Sequence, residues 1–119
     1  MKLLIVDDSL IMRRAIERTL VSDRFEEIRL ASNGRLAVEE FKIFQPDVVT
    51  MDITMPDMDG LTAVDLILQI DSNAIILVVS ALADKPTAVE AVRRGASGFL
   101  LKPITIQSLQ AAIEDVLAD

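Results

Sequence analysis

The chain has 119 residues, enough for one core, and it is 51% hydrophobic but only 3% aromatic, so that core must be aliphatic. Its net charge of −7 argues against nonspecific binding to nucleic acid or anionic membrane, since both reward clustered positive charge. The absence of Cys and His removes disulfides, thiol nucleophiles, Cys- or His-ligated metals, catalytic triads and any phosphohistidine intermediate on this chain. Met1-Lys2 runs at once into a short strand-like segment, without the n-region and long h-region of a signal peptide. No apolar stretch approaches the ~18 residues of a membrane span. The expectation is a soluble cytoplasmic protein, with no membrane insertion and no direct contact with nucleic acid.

Taken in chain order, apolar runs of strand length alternate with helical patterns, the signature of a parallel α/β sheet. A strand over 2–7 leads to a helix over 9–21, and a weaker, alternating strand over 27–31 leads to a helix over 33–44 that Asn33 can cap. A strand over 47–52 and a helix over 60–70 follow. Next come a strand over 74–80 and a helix over 85–94 that stops at Gly95, where a C-terminal glycine belongs. The last pair is a strand over 97–101 and a helix over 105–117, with its buried stripe at Ile106, Leu109, Ile113, Val116 and Leu117. Every strand but the second reads as a continuous apolar run, as expected when helices cover both faces of a sheet. The second is therefore expected at an exposed edge. The fold class is α/β, a flavodoxin-like doubly wound sheet of five parallel strands in the order 2-1-3-4-5, forming a single domain over 1–119.

In such a sheet the strands' C-terminal ends share one edge, and ligands bind there, in the crevice beside strand 1. The residues that end the strands here fit one another. Asp7 and Asp8 follow the first run, Asp52 the third, Ser80 the fourth and Lys102 the fifth. Capping the first helix needs one of Asp7, Asp8 and Ser9, and leaves an Asp pair plus Asp52 unexplained. Converging carboxylates repel by about 4 kcal/mol per pair at ~4 Å and an effective dielectric near 20, so they call for protonation or a cation. Mg²⁺ suits oxygen ligands and keeps waters and phosphate oxygens in the rest of its shell. A carboxylate beside that cation can attack phosphorus to give an acyl phosphate. Lys102 would supply a fixed positive charge and Ser80 a hydroxyl to the transferred oxygens.

These pieces reach a family. Leu4-Ile5-Val6-Asp7-Asp8-Ser9, Met12-Arg13-Arg14, Asn33-Gly34 and Pro46-Asp47 match it, as do Met51-Asp52-Ile53-Thr54-Met55-Pro56-Asp57-Met58-Asp59-Gly60. So do Ser80-Ala81, Gly95-Ala96 and Phe99-Leu100-Leu101-Lys102-Pro103. Together they resemble bacterial response-regulator receiver domains, and among them the stand-alone chemotaxis receivers. The resemblance implies that Asp52 is the phosphoacceptor. It implies that Asp8, Asp52 and the Thr54 carbonyl bind Mg²⁺, for which Mn²⁺ could substitute, and that Asp7 supports the metal through water. Ser80 and Lys102 would contact the phosphoryl oxygens, Ala81 would leave backbone room for them, and Lys102-Pro103 would be a cis peptide. The implied switch moves Ser80 toward the phosphate and turns Phe99 inward. That would reshape the face made by the helix at 85–94, the strand at 97–101 and the last helix. Phe99 lacks the hydroxyl of the tyrosine common in chemotaxis receivers. The implied partners are a sensor histidine kinase as phosphodonor and a target protein on the reshaped face. The receiver would be a monomer, or a dimer when phosphorylated, and not an enzyme beyond its own phosphotransfer and dephosphorylation. The alternatives are the isolated input domain of a larger, for example DNA-binding, regulator and a metal-dependent aspartyl-phosphate phosphatase. The phosphatase normally needs a second acid two residues after the nucleophile, where Thr54 stands.

Overall fold

The computed structural model describes residues 1–53 and 59–118. Five parallel strands, β1 (Lys2–Val6), β2 (Glu27–Ala31), β3 (Val48–Asp52), β4 (Ile75–Ser80) and β5 (Gly98–Leu101), lie in the order β2-β1-β3-β4-β5. Between and after them run α1 (Leu10–Leu20), α2 (Gly34–Phe44), α3 (Gly60–Ile70), α4 (Lys85–Arg93) and α5 (Ile106–Leu117). A short 3₁₀ turn, Leu82–Asp84, precedes α4. This is the expected doubly wound order.

Side-chain alternation along the central strands builds two cores. Leu4, Val6, Val49, Met51, Ile76 and Val78 face α2, α3 and α4, where Ala37, Phe41, Val64, Ile67, Ala88 and Ala91 close the layer. Leu3, Ile5, Val48 and Leu77 face the other way, onto Ile16, Leu20, Phe25, Leu109 and Ile113 of α1, the loop after it and α5. The division follows from handedness. Parallel crossovers are right-handed, so the β1-to-β2 step and the steps in the opposite direction put their helices on opposite faces. Central strands buried on both faces then read as unbroken apolar runs.

The fifth strand lies at the edge that the expected order gives it, although its apolar run reads like a strand covered on both faces. It is the second edge of the sheet, only half-buried, and Phe99 is 37% exposed. Its apolar run resembles that of a central strand because α5 and α4 shield it partly. Edge position is set by strand order and not by composition.

Helix starts are fixed by side-chain caps. Ser9 caps α1 through its hydroxyl on the Met12 N–H, Asn33 caps α2 on the Leu36 N–H, and Asp59 caps α3 on the Thr62 N–H. Thr105 and Ser108 form a reciprocal capping box at the start of α5. At the far end of α4, Gly95 adopts φ +123°, a conformation that suits glycine.

Candidate functional site: a carboxylate cluster at the strand ends

Register brings the site together. Val6 pairs with Met51, so the residues that follow, Asp7 and Asp52, leave adjacent strands side by side. Asp52 pairs with Val79, one residue before Ser80, and Ser80 pairs with Leu101, one before Lys102. One carboxylate oxygen each from Asp7, Asp8 and Asp52 lies within 4.8 Å of the others. Asp7 and Asp52 are buried, Asp8 is exposed, and Ser80 is buried completely. Lys102 Nζ sits 3.8 Å from Asp7 Oδ2 and 3.9 Å from Asp52 Oδ2.

Asp7 is held on three sides. Its N–H donates to the Ala31 carbonyl of β2, its Oδ1 accepts from the Ser9 N–H at 2.9 Å, and its own carbonyl accepts from Arg13 Nη1 at 2.7 Å. Its Oδ2 is buried without a hydrogen-bond partner. Burial raises the Asp7 pKa, the neighbouring Asp8 adds to the rise, and the Ser9 N–H and the Lys102 charge oppose it. An oxygen left without a donor, beside two further carboxylates, is what a hard cation would fill. Three carboxylates against one ammonium also leave a formal excess of two negative charges, matching a divalent ion. The donor set therefore fits Mg²⁺.

Ser80 Oγ donates to the Ala81 carbonyl at 2.8 Å, and the Ser80 carbonyl accepts from the Lys102 N–H at 2.8 Å. The two strand ends that carry the hydroxyl and the ammonium are thus bonded to each other. Lys102-Pro103 is cis, as the resemblance implied. The expected metal contact from the Thr54 carbonyl lies outside the described residues.

Two features of this site escape a reading of residue types. Gly60 leaves no room for a side chain: a Cβ there would lie 2.4 Å from both the Asp52 carbonyl oxygen and the Ile53 Cα. The start of α3 therefore packs directly on the backbone that carries Asp52, an approach only glycine permits. The other feature is Arg13, whose bond to the Asp7 carbonyl depends on how the loop turns into α1. Its sequence signal is its place in Met12-Arg13-Arg14, which marks the residue but not what it bonds.

The description "Response regulator receiver domain" matches residues 3–114. The chain belongs to that family. It is 44% identical to the chemotaxis protein CheY of Bacillus subtilis, over 98% of this chain and 97% of that protein. It is 41% identical to CheY of Thermotoga maritima, over 97% and 96%. Among solved structures it is similar to the CheY of a CheX-CheY-BeF₃-Mg²⁺ complex from Borrelia burgdorferi. That match has a TM-score of 0.92 and 32% identity, and covers 99% of this chain and 90% of the other. A longer relative, a protein-glutamate methylesterase/protein-glutamine glutaminase of Carboxydothermus hydrogenoformans, is 44% identical over 92% of this chain, which spans 31% of that protein. The chain is a CheY-like signalling receiver, homologous to phosphorylation-activated switches, and the chemotaxis reading is supported by its CheY relatives. Among the described residues, no helix is long and apolar enough to cross a membrane.

Proposed function

We propose that this receiver takes a phosphoryl group onto Asp52 from a phosphohistidine of a sensor kinase, in a chemotaxis-type pathway, and releases it by hydrolysis. The convergence of Asp7, Asp8 and Asp52 around Lys102 carries this reading. An Asp52 carboxylate oxygen forms the new O–P bond, and the P–N bond to the donor imidazole breaks, its electron pair staying with the imidazole. Since this chain has no His, the donor histidine must belong to the partner. Asp8 and Asp52 would hold Mg²⁺, with Mn²⁺ as a substitute, Asp7 would support it through water, and the Thr54 carbonyl would be a further protein ligand. When bound, the cation would offset charge on the transferred oxygens. Lys102 holds one of those oxygens from the β5 side. Ser80 Oγ reaches another by exchanging its bond to the Ala81 carbonyl for one to the phosphoryl group, and the small Ala81 leaves its backbone open to the same group.

One receiver domain accounts for residues 1–119 in this reading, and its only chemistry is its own phosphotransfer and dephosphorylation. It works in the cytoplasm, where phosphohistidine is made from ATP. It acts as a monomer that binds a target protein on the face of α4, β5 and α5, with dimerisation on phosphorylation as the variant. The methylesterase relative, in which a similar segment occupies part of a longer protein, favours one second reading, an input domain of a larger regulator.

The test is direct. Acetyl phosphate with Mg²⁺ should add one phosphoryl group that is labile in alkali, as an acyl phosphate is. Asp52→Asn should abolish the labelling and EDTA should block it. Stoichiometric labelling that survives in Asp52→Asn would place the acceptor elsewhere.

A further inference from the structure

Arg13 stands out among the charged groups near the site because its guanidinium is bonded to a backbone carbonyl. Its Nη1 donates to the backbone carbonyl of Asp7 at 2.7 Å, from one turn inside α1. That carbonyl belongs to the peptide unit joining Asp7 to Asp8. A peptide unit is planar, so holding its oxygen sets the plane and with it the direction in which the Asp8 Cα and side chain leave the strand. Two further bonds fix this turn: the Ser9 N–H on Asp7 Oδ1 holds the next peptide unit, between Asp8 and Ser9, and the Asp7 N–H on the Ala31 carbonyl holds the unit before, so the Arg13 bond fixes the unit between them. Asp8 is the exposed member of the trio.

We propose that Arg13 is a positioning residue for the cation site: it clamps the Asp7–Asp8 peptide so that the Asp8 carboxylate is aimed at the cation before the cation arrives. The inference rests on the reading of Asp7, Asp8 and Asp52 as a Mg²⁺ site. Partners behind the direct ligands commonly change metal affinity 10–100-fold when removed. Charge and geometry make opposite demands here, which decides between them. Arg13 is a cation close to a cation site, so deleting it for its charge alone should tighten Mg²⁺ binding. Deleting a clamp should weaken it.

The experiment is an NMR titration of the ¹⁵N-labelled full chain with MgCl₂, using wild type, Arg13→Ala, Arg13→Gln and Arg13→Lys under conditions where each is folded. A dissociation constant measured on folded protein does not move with stability alone. Arg13→Ala and Arg13→Gln should raise the Mg²⁺ dissociation constant about tenfold. Arg13→Lys, which keeps a donor, should recover part of that loss. In EDTA the Asp8 and Ser9 amide signals of Arg13→Ala should shift or broaden, while those of α3 stay in place. If Arg13→Ala does not fold, Arg13→Gln carries the same expectation. An unchanged or smaller dissociation constant in the Ala and Gln variants overturns the clamp while leaving the metal site standing. A wild type that shows no Mg²⁺-dependent shifts at Asp7, Asp8 or Asp52 overturns the site reading and the clamp with it.

Discussion

Asp7 sits at the point where folding and chemistry make contrary demands on one carboxyl group. It is buried to 1% exposure, and burial is the largest influence on its pKa, which it raises. The folded chain therefore binds a proton at Asp7 more readily than the unfolded chain, where the group titrates near its ordinary value of 3.8. By linkage, the stability this group contributes is fully present below that ordinary value and is lost as pH rises through the raised, folded value. The Asp7 contribution to the stability of the metal-free protein should accordingly fall with rising pH across the acid range above the ordinary carboxylate value. Asp7→Asn, which cannot ionise, should lack that loss and be the more stable protein at neutral pH in EDTA. Saturating Mg²⁺ should remove the wild-type loss, because the cation favours the ionised form. Denaturant midpoints of both proteins from about pH 3 to about pH 8 measure this. A wild-type-to-mutant difference that stays constant across that range would show that Asp7 burial is not felt as a protonation cost.

At the scale of elements, the sequence was most readable where burial was complete and least where geometry had to choose between equivalent residues. The run Val48 to Met51 declares β3 because both of its faces are covered, and the lone Thr50 within it, buried with no hydrogen-bond partner for its hydroxyl, does not break the pattern. The same kind of run at Phe99 to Leu101 belongs to the edge strand that the 2-1-3-4-5 order requires, so composition named the element and overstated its burial. Asp7, Asp8 and Ser9 are all good cap residues, and which one caps α1 follows from backbone angles that composition does not carry. The structure puts Ser9 there, which leaves both carboxylates to the site. Gly60 and Arg13 both stand in the matching motif segments, but the Gly60 contact and the Arg13 bond arise from the approach of one element to another, which those segments do not spell out. Position in the fold also bears on the switch. Phe99 points outward from β5, near Val92 of α4 and beside the groove that Ala112 and Val116 of α5 help to line. Lys102 links this strand to the site, through its ammonium and through its N–H on the Ser80 carbonyl. Phosphorylation should therefore shift amide signals at Ala88, Phe99 and Ser108. Lys102→Ala should accept phosphate poorly and lose those distant shifts even in its phosphorylated fraction. Wild-type shifts confined to the carboxylate cluster would make the chain a phosphate sink with no output on this face.

For the molecule as a whole, the parallel sheet gathers its most costly charges at one edge while the rest of the core is aliphatic. The metal-free balance among the charges of Asp52, Asp7, Asp8 and Lys102 can be signed. The attraction of Asp52 to Lys102 at 3.9 Å amounts to about 4 kcal/mol at an effective dielectric near 20. Its repulsions from Asp7 and Asp8, with oxygens within 4.8 Å, amount to about 3 kcal/mol or more each on the same scale. Repulsion wins by about 2 kcal/mol or more, a margin that water penetration and salt reduce. Desolvation of a carboxylate that is only 4% exposed adds to the cost of keeping it charged. Asp52→Asn removes the charge and keeps the shape, so the metal-free mutant should melt higher than wild type. The gain should be several degrees if ~1 kcal/mol is recovered in a domain of this size, the familiar exchange of stability for function at a working site. Mg²⁺ should stabilise wild type more than the mutant, because an ion that binds only the folded chain adds stability in proportion to its affinity. Raising salt in EDTA should narrow the gap between the two proteins by screening the repulsion that separates them. Calorimetric melts of both proteins, in EDTA and in Mg²⁺, decide the matter. If Asp52→Asn melts below wild type in EDTA and Mg²⁺ moves neither, Asp52 is held by a structural interaction worth more than the repulsion. The carboxylates would then not act as one cation site.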